Sequence, residues 1–419
     1  MPRQRTRTQS QGDASRLALL EATLRLAGER GYVGTTMAKV TRATGLPASS
    51  VYWHFANKDE LIADAVAHGF ETWRSTIDPW TSFDPDVPRA EQLFSQLQSV
   101  VLAPDDRLGY WRMGLLLALE TGPAVGSAPR ERFLGIRAIA IDQLGAWWSL
   151  SVGGDGPRAR TLARLTLAAL DGLFVARLSD PAEDVQDALR LLSTGLDAVA
   201  DQLSDDADVS RTGGTAQRAD VQRPTQDSRL KLLRAAGEVA ADSGYDGASI
   251  ARICAAAGLP ASSLYWHFAD KDDLLAEVVD QSYEEWYTDQ PAWDLPADGT
   301  AWDDELRGHL AQSMGSLATR PIFLRLGYHL LLLRRDDPPA ARARFVDVRA
   351  RARRAIADWF TDAVPDAGAM PGPASMLLMA LSDGLFFSNQ LDTPPSDAPL
   401  FSDLVTRVLA AGARATVSS

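Results

Sequence analysis

Gly45-Leu-Pro-Ala-Ser-Ser-Val-Tyr-Trp-His-Phe-Ala-Asn-Lys-Asp-Glu-Leu61 is read twice in this chain. It returns, 213 residues later and without a gap, as Gly258-Leu-Pro-Ala-Ser-Ser-Leu-Tyr-Trp-His-Phe-Ala-Asp-Lys-Asp-Asp-Leu274. The only changes are Val51 to Leu264, Asn57 to Asp270 and Glu60 to Asp273, all conservative. One element present twice in one polypeptide sets the terms for everything around it.

Working outward from the first copy, Leu17, Leu20, Leu24 and Ala27 recur at helical spacing from Ser15 onward, and Gly31 is a C-terminal stop. Thr35 and Thr36 are candidate caps for a short helix, Met37 to Thr44, which Gly45 closes. Leu46-Pro47 makes a tight turn, and a third short helix covers Ala48 to Phe55. Proline is tolerated there because a first-turn amide has no helical partner to lose. Lys58-Asp-Glu-Leu61 opens a long helix with its acids in the first turn, where they favour the dipole. Helix, glycine turn, helix is the helix-turn-helix pattern. Ala48, Ser49 and Ser50 are small enough to approach bases and phosphates closely. Phe55 reads as core, and Tyr52 as a ring against the helix with its hydroxyl toward a phosphate. Residues 1–12 have no apolar period and read as a polar tail or a minor-groove arm, ordered only on DNA.

These residues resemble the DNA-binding head of the TetR family of bacterial transcriptional regulators. The resemblance rests on Gly31-Tyr32, Thr35-Thr36-Met37, Thr44-Gly45 and Tyr52-Trp53-His54-Phe55 with Lys58 and Leu61. In the second copy it rests on Gly244-Tyr245, Ala248-Ser249-Ile250, Ala257-Gly258 and Tyr265-Trp266-His267-Phe268 with Lys271 and Leu274. Pro47 and Pro260 depart from the serine or threonine the family often has there. The resemblance implies DNA contacts from Thr36, Lys39, Ala48, Ser49, Ser50, Tyr52, Trp53, His54 and Lys58. In the second head it implies them from Ser249, Arg252, Ala261, Ser262, Ser263, Tyr265, Trp266, His267 and Lys271.

The expected fold is all-α: two TetR-like units, each a three-helix head followed by a helical ligand-binding and dimerisation body. Head 1 is expected at 1–58, body 1 at 59–203, a linker at 204–226, head 2 at 227–271 and body 2 at 272–419. The linker is polar, glycine-containing and without period. In body 1, helices are expected over 59–76, 89–102, 105–120, 130–150, 157–178 and 182–203, with a Pro- and Asp-rich loop from Asp78 to Pro88. Echoes extend the duplication into the bodies. Arg132-Phe133 and Trp147-Trp148 match Arg344-Phe345 and Trp359-Phe360, and Asp171-Gly-Leu-Phe174 matches Asp383-Gly-Leu-Phe386, all at an offset of 212. Leu108-Gly-Tyr110 and Leu326-Gly-Tyr328 match at 218, which implies insertions between.

Family members resembling this head act as homodimers held by a four-helix bundle from the last two helices of each subunit. Here that implies 157–178 with 182–203 and 374–391 with 400–416, packed inside one chain as a pseudo-dimer. A conventional homodimer of the double-length chain is the alternative. The implied partners are a near-palindromic double-stranded operator, read by both heads, and a small-molecule effector, unidentified, that releases a repressor. Candidate effector-lining residues are Trp73, Phe94, Trp111 and Trp147 in body 1 and Trp286, Phe323, Tyr328 and Trp359 in body 2. An architectural DNA-binding protein without effector is the other reading.

Composition narrows the field. The net charge is −13, but residues 1–60 carry nine Lys/Arg against five acids, leaving −17 on the rest. Residues 220–271 carry six of each sign. An acidic body under a basic head repels DNA except at the head, and head 1 is expected to supply more affinity. Lys39 and Arg42 become Arg252 and Ala255; the arm Arg3/Arg5/Arg7 becomes Arg218/Arg223 beside Asp220 and Asp227. Removing the charge of Lys58 is therefore expected to weaken binding more than removing that of Lys271. The single cysteine, Cys254, excludes a disulfide framework and suits a reducing cytoplasm. No run reaches the roughly 18–20 apolar residues of a membrane span. No metal spacing, phosphate loop or nucleophile elbow appears, so no cofactor, metal or enzymatic activity is expected. No ionisable cluster singles out a ligand.

Overall fold

A computed structural model describes residues 3–77, 80, 82–122, 125–180, 182–203, 227–317, 319–364, 368–392 and 398–417. The expected linker 204–226, with Arg218, Asp220 and Arg223, lies outside the described residues, as do the side chains of Arg3, Arg5 and Arg7. The described residues form helices joined by turns, with no strand. The first half comprises α1 (Arg3–Gly34), α2 (Met37–Thr44), α3 (Ala48–His54), α4 (Lys58–Arg74), α5 (Arg89–Val101), α6 (Gly109–Leu119), α7 (Ser127–Val152), α8 (Pro157–Ala176) and α9 (Ala182–Ala200). The second half repeats it as α10 (Ser228–Gly247), α11 (Ile250–Ala257), α12 (Ala261–His267), α13 (Lys271–Thr288), α14 (Trp302–Leu317), α15 (Ile322–Leu332), α16 (Ala340–Ala363), α17 (Pro371–Leu391) and α18 (Ala398–Val417). Among the described residues no helix is long and apolar enough to cross a membrane.

Local chemistry accounts for the boundaries. Thr36 and Ser249 cap α2 and α11, each accepting an amide proton three residues on. Gly45 and Gly258 close those helices in the left-handed conformation. Asn57 and Asp270 cap α4 and α13 in the same manner, with acids in the first turn. Pro157 and Pro371 begin α8 and α17, where a missing amide costs nothing. Two expectations change. Helix α1 starts at Arg3, well ahead of Ser15, so the basic N-terminus continues a helix instead of forming an irregular tail. The echo at offset 218 is not the structural equivalence. Helices α6 and α15 superpose their limits at an offset of 213, and Gly114 and Gly327 occupy the same place, each against a phenylalanine, Phe133 or Phe345. No insertion separates head from body at this point.

The halves meet through α8 and α9 on one side and α17 and α18 on the other. Glycines set the closeness. A Cβ on Gly172 would stand 1.6 Å from the Ala380 carbonyl oxygen, and one on Gly384 would stand 1.8 Å from that of Ala168. These four residues are related by the internal repeat, so α8 and α17 cross at a pseudo-twofold axis. Gly195 lies against the Val408 backbone and Gly412 against that of Leu191, the same relation again for α9 and α18. Bare glycine lets the backbones approach further than any side chain would allow. The surrounding core is continuous across both halves and includes the fully buried Trp147, Trp148, Phe174, Phe386 and Phe387.

Candidate nucleic-acid interface and ligand cavity

Each head stands on a clamp built from its own sequence. Near the C-terminal end of α1 the chain kinks at Gly31 with φ 69°, and near that of α10 at Gly244 with φ 71°. The Tyr32 and Tyr245 hydroxyls then donate to Asp59 and Asp272 in the next long helix. Lys58 Nζ donates to the Tyr32 carbonyl at 3.2 Å and lies 3.7 Å from that ring's centre; Lys271 does the same to Tyr245 at 3.0 and 3.7 Å. Burial lowers the pKa of both lysines. Burial, helped by the bond to Asp59, pushes the Tyr32 phenol up to about 12; burial and Asp272 raise Tyr245 likewise. Arg16 pairs with Asp64 at 2.5 Å and Arg229 with Glu277, and each guanidinium lies over the core ring of its head, Phe55 or Phe268.

The clamp leaves one face of the short helix bare. Val51 and Phe55 turn inward with Leu19, Leu20 and Val40. Tyr52 remains 60% exposed and Trp53 76%; Tyr265 and Trp266 remain 59% and 85% exposed. Ala48 and Ser49, and Ala261 and Ser262, are exposed beside them; Thr36, Ser249 and Arg252 are exposed on the preceding helices. Ser50, Ser263, His54, His267 and Lys39 are half-buried. His267 Nε2 meets Ser228 Oγ at 2.8 Å, and Lys39 Nζ donates to the Gly34 carbonyl at 2.5 Å, so both also tie the head together. Arg252 makes the equivalent bond to Gly247 at 2.6 Å. Lys58 and Lys271 sit behind the bare face as clamps. Beyond the edge-on contact of Trp53 with His54, these large aromatics on a seven-residue helix stay mostly exposed, which marks this face for contact with something else.

Behind the heads a bridge joins the halves. The turn at Gly31 frees the Tyr32 and Val33 amides from helical partners. Glu120 accepts both, at 3.1 and 3.0 Å. Its Oε1 also lies 2.9 Å from His329 Nε2, and His329 Nδ1 accepts the Tyr245 amide at 3.4 Å. That amide can meet only a lone pair, so Nε2 carries the ring proton and donates to Glu120. Both side chains are buried. A Cβ on Gly31 would strike Glu120, and one on Gly244 would strike His329. The turns that follow the first helix of each head thus share one buried acid–imidazole contact. Across the same seam Arg30 pairs with Asp246, and Arg335, itself paired with Asp246, donates from Nε to the Glu29 carbonyl at 3.3 Å.

The bodies contain unequal cavities at equivalent places. In the second half a cavity of about 430 Å³ opens between α13, α14, α15, α16 and α17. Trp286, Phe323 and Tyr328 line it, with Tyr283, Trp293 and Phe345. The first-half counterpart, lined by Trp73 and Trp111, is about 80 Å³. Phe94 lies under Arg190 instead, Trp147 packs on Trp80, Phe83 and Trp148, and Trp359 donates to the Asp294 carbonyl; none of the three lines a cavity described here. A buried ion pair floors each site: Arg137 Nη1 to Asp171 at 2.7 Å, and Arg349 Nη1 and Nη2 to Asp383 at 3.0 and 2.7 Å. Burial alone would lower the Arg349 pKa; the Asp383 charge and its hydrogen bonds more than reverse this. Where no ionisable cluster was expected to single out a ligand, the structure places one buried arginine–aspartate pair at each cavity. The duplicated Asp-Gly-Leu-Phe carried the signal, since an aspartate inside two apolar helices needs a buried partner. Glu120 and His329 had no such signal.

Residues 19–65 and 232–278 each match the family described as bacterial regulatory proteins, tetR family. The HTH-type transcriptional regulator TtgR of Pseudomonas putida is 36% identical over 56 residues, covering 13% of this chain and 27% of that protein. The HTH-type transcriptional repressor KstR2 of Mycobacterium tuberculosis is 23% identical over 128 residues, covering 30% of this chain and 61% of that one. The chain thus spans less than two thirds of the length of either relative. A crystal structure of a transcriptional regulator from Rhodococcus sp. Rha1 aligns with 45% of this chain and 96% of its own at 21% identity, with a TM-score of 0.35. The chain thus carries, at the front of each half, a head that matches the bacterial tetR regulatory family.

Proposed function

We propose that this chain is a transcriptional regulator that grips one near-palindromic DNA site with both of its own heads and releases it when a small molecule enters a body. It acts in the cytoplasm as a repressor, as a monomeric pseudo-dimer, and turns over no substrate. The observation that carries the reading is the bare face of α3 and its repeat on α12: small polar residues followed by exposed Tyr52, Trp53, Tyr265 and Trp266. Small residues let the helix enter a major groove, and hydroxyl and indole groups reach phosphate oxygens. Near-identity of the two faces favours two similar half-sites about one DNA turn, ~34–36 Å, apart. The pseudo-twofold crossing of α8 with α17 supports a dimer-like arrangement within one polypeptide.

Selection of bound duplexes from random DNA tests this directly. The expected product is an inverted repeat whose binding weakens steeply with salt. Tyr52→Ala should degrade selection of one half-site, and Tyr265→Ala the other. No enrichment of any sequence at moderate ionic strength would end the proposal. Heads whose substitutions alter nothing in the selected site would end the assignment of α3 and α12 as the reading helices.

A further inference from the structure

We infer that each chain takes one effector molecule, in the second half only, and that this molecule is electrically neutral, flat and apolar with one hydrogen-bond acceptor. The inference rests on reading the bodies as effector domains and names what that site binds.

The two cavities share their walls but not their filling. The position held by Leu324 in the second half is Trp111 in the first. The Trp111 indole stacks on Phe174 at 5.1 Å and donates Nε1–H to Asp171 at 2.7 Å. In the second half the corresponding aspartate, Asp383, takes its proton from the Tyr328 hydroxyl at 2.5 Å instead. With no indole inserted, the cavity stays open at about 430 Å³, against about 80 Å³ where the indole is present. A drug-sized molecule needs roughly 300 Å³ or more, so only the second cavity admits one.

Polar groups differ in the same sense. In the first half Arg137 is saturated: Asp171 takes Nη1, while Asp392 from the other half lies 3.4 Å from Nε and 3.3 Å from Nη2. The repeat of Asp392 is Asp180, which pairs with Arg353 at 3.4 Å. Arg349 therefore has Asp383 on its two terminal nitrogens and a buried Nε–H without a partner. Arg349 is 6% exposed and lines the cavity. An unpaired buried N–H favours a ligand that brings an acceptor. Its charge, however, is already balanced by Asp383, so an anion would gain no free cation on entering and would lose its hydration. Trp286, Phe323 and Phe345 offer rings for a flat apolar body.

Calorimetric titration of the whole chain, without DNA, with three probes of one shape tests the inference: 9-fluorenone, fluorene and fluorene-9-carboxylate. The expected result is one fluorenone per chain, bound about tenfold more tightly than fluorene for its single acceptor and more tightly than the carboxylate. Leu324→Trp, which copies the first half, should abolish binding. Ala352→Trp, at the half-exposed edge of the lining, should do so without disturbing the interior. Circular dichroism of both variants separates a blocked site from a lost fold. Two probe molecules per chain, equal affinity for fluorenone and fluorene, tightest binding by the carboxylate, unchanged binding by a folded Ala352→Trp, or no binding by any probe would each overturn it. Because DNA is absent, these outcomes are independent of whether the heads read a sequence.

Discussion

The two halves of this molecule agree at their heads and part company in their bodies. At the heads the lysine-to-carbonyl bonds are 3.2 and 3.0 Å, the lysine-to-ring distances are both 3.7 Å, and the exposed tyrosines differ by one percentage point. In the bodies one aspartate is met by an indole and its twin by a phenol, one arginine is saturated and its twin is not, and one cavity is about 80 Å³ against about 430 Å³. On the proposed reading, the heads share one external template, a duplex with two similar half-sites, whereas an interior has none and can differentiate. The bridge goes further still. Glu120 and His329 fall at positions whose repeats are Leu333 and Leu116, so the contact linking the two turns exists once, not twice.

That bridge should show the largest energetic effect. His329→Leu removes the imidazole donor and leaves Glu120 with backbone donors alone, at a cost of about 1.5–3 kcal/mol in urea unfolding. Adding Glu120→Leu should cost less than the sum of the separate changes, because both act on one contact. Strict additivity would remove the bridge from the account. Next come the crossing glycines. Gly172→Val and Gly384→Val should each lose about 1–3 kcal/mol or more, and by similar amounts, since each meets the same carbonyl wall. Gly145→Ala, where a Cβ meets nothing, should be near neutral or stabilising. A large difference between Gly172→Val and Gly384→Val would break the pseudo-twofold relation.

The heads offer smaller, sharper tests. Since Lys58 and Lys271 both serve as clamps, the charge difference between heads rests on other cations, among them exposed Arg42 facing Ala255. If Arg42 meets a phosphate, Arg42→Ala should lower the slope of log affinity on log salt by about 0.9, and Ala255→Arg should raise it by as much. Smallest is the phenol clamp. Tyr32→Phe should cost about 1 kcal/mol at neutral pH. The Tyr32 pKa is raised to about 12 from the ordinary 10, so the neutral phenol is the favoured folded form. Its contribution is complete below pH 10 and is lost as pH rises to about 12. Ultraviolet titration of wild type against Tyr32→Phe should show the missing phenol at that upper range; loss of an ordinary phenol near 10 would place Tyr32 outside its clamp.

What could be read from the sequence was whatever local chemistry or repetition encodes. Gly31, Gly45 and Pro47 marked the head because glycine alone readily takes the left-handed turns there and proline fixes its own φ. The repeat of Asp171 as Asp383 was read only as an echo of the duplication, and their buried partners Arg137 and Arg349 look like surface cations on α7 and α16. The apparent echo of Leu108-Gly-Tyr110 misled, because three letters match by chance where helix limits do not. Glu120 and His329 were invisible: they are 209 residues apart, each alone at the end of an apolar helix, and only folding brings them together. Aromatic residue type did not separate cavity wall from core either, as Phe94, Trp147 and Trp359 show; that depends on which neighbouring side chain is large.

The central claim is that one polypeptide occupies a whole operator. Sedimentation of the purified complex with the selected duplex measures this most directly. The account predicts one 45.3 kDa chain per duplex at every protein excess that saturates the site. Two chains bound together on a single inverted repeat, with none of the one-chain complex at any ratio, would contradict it.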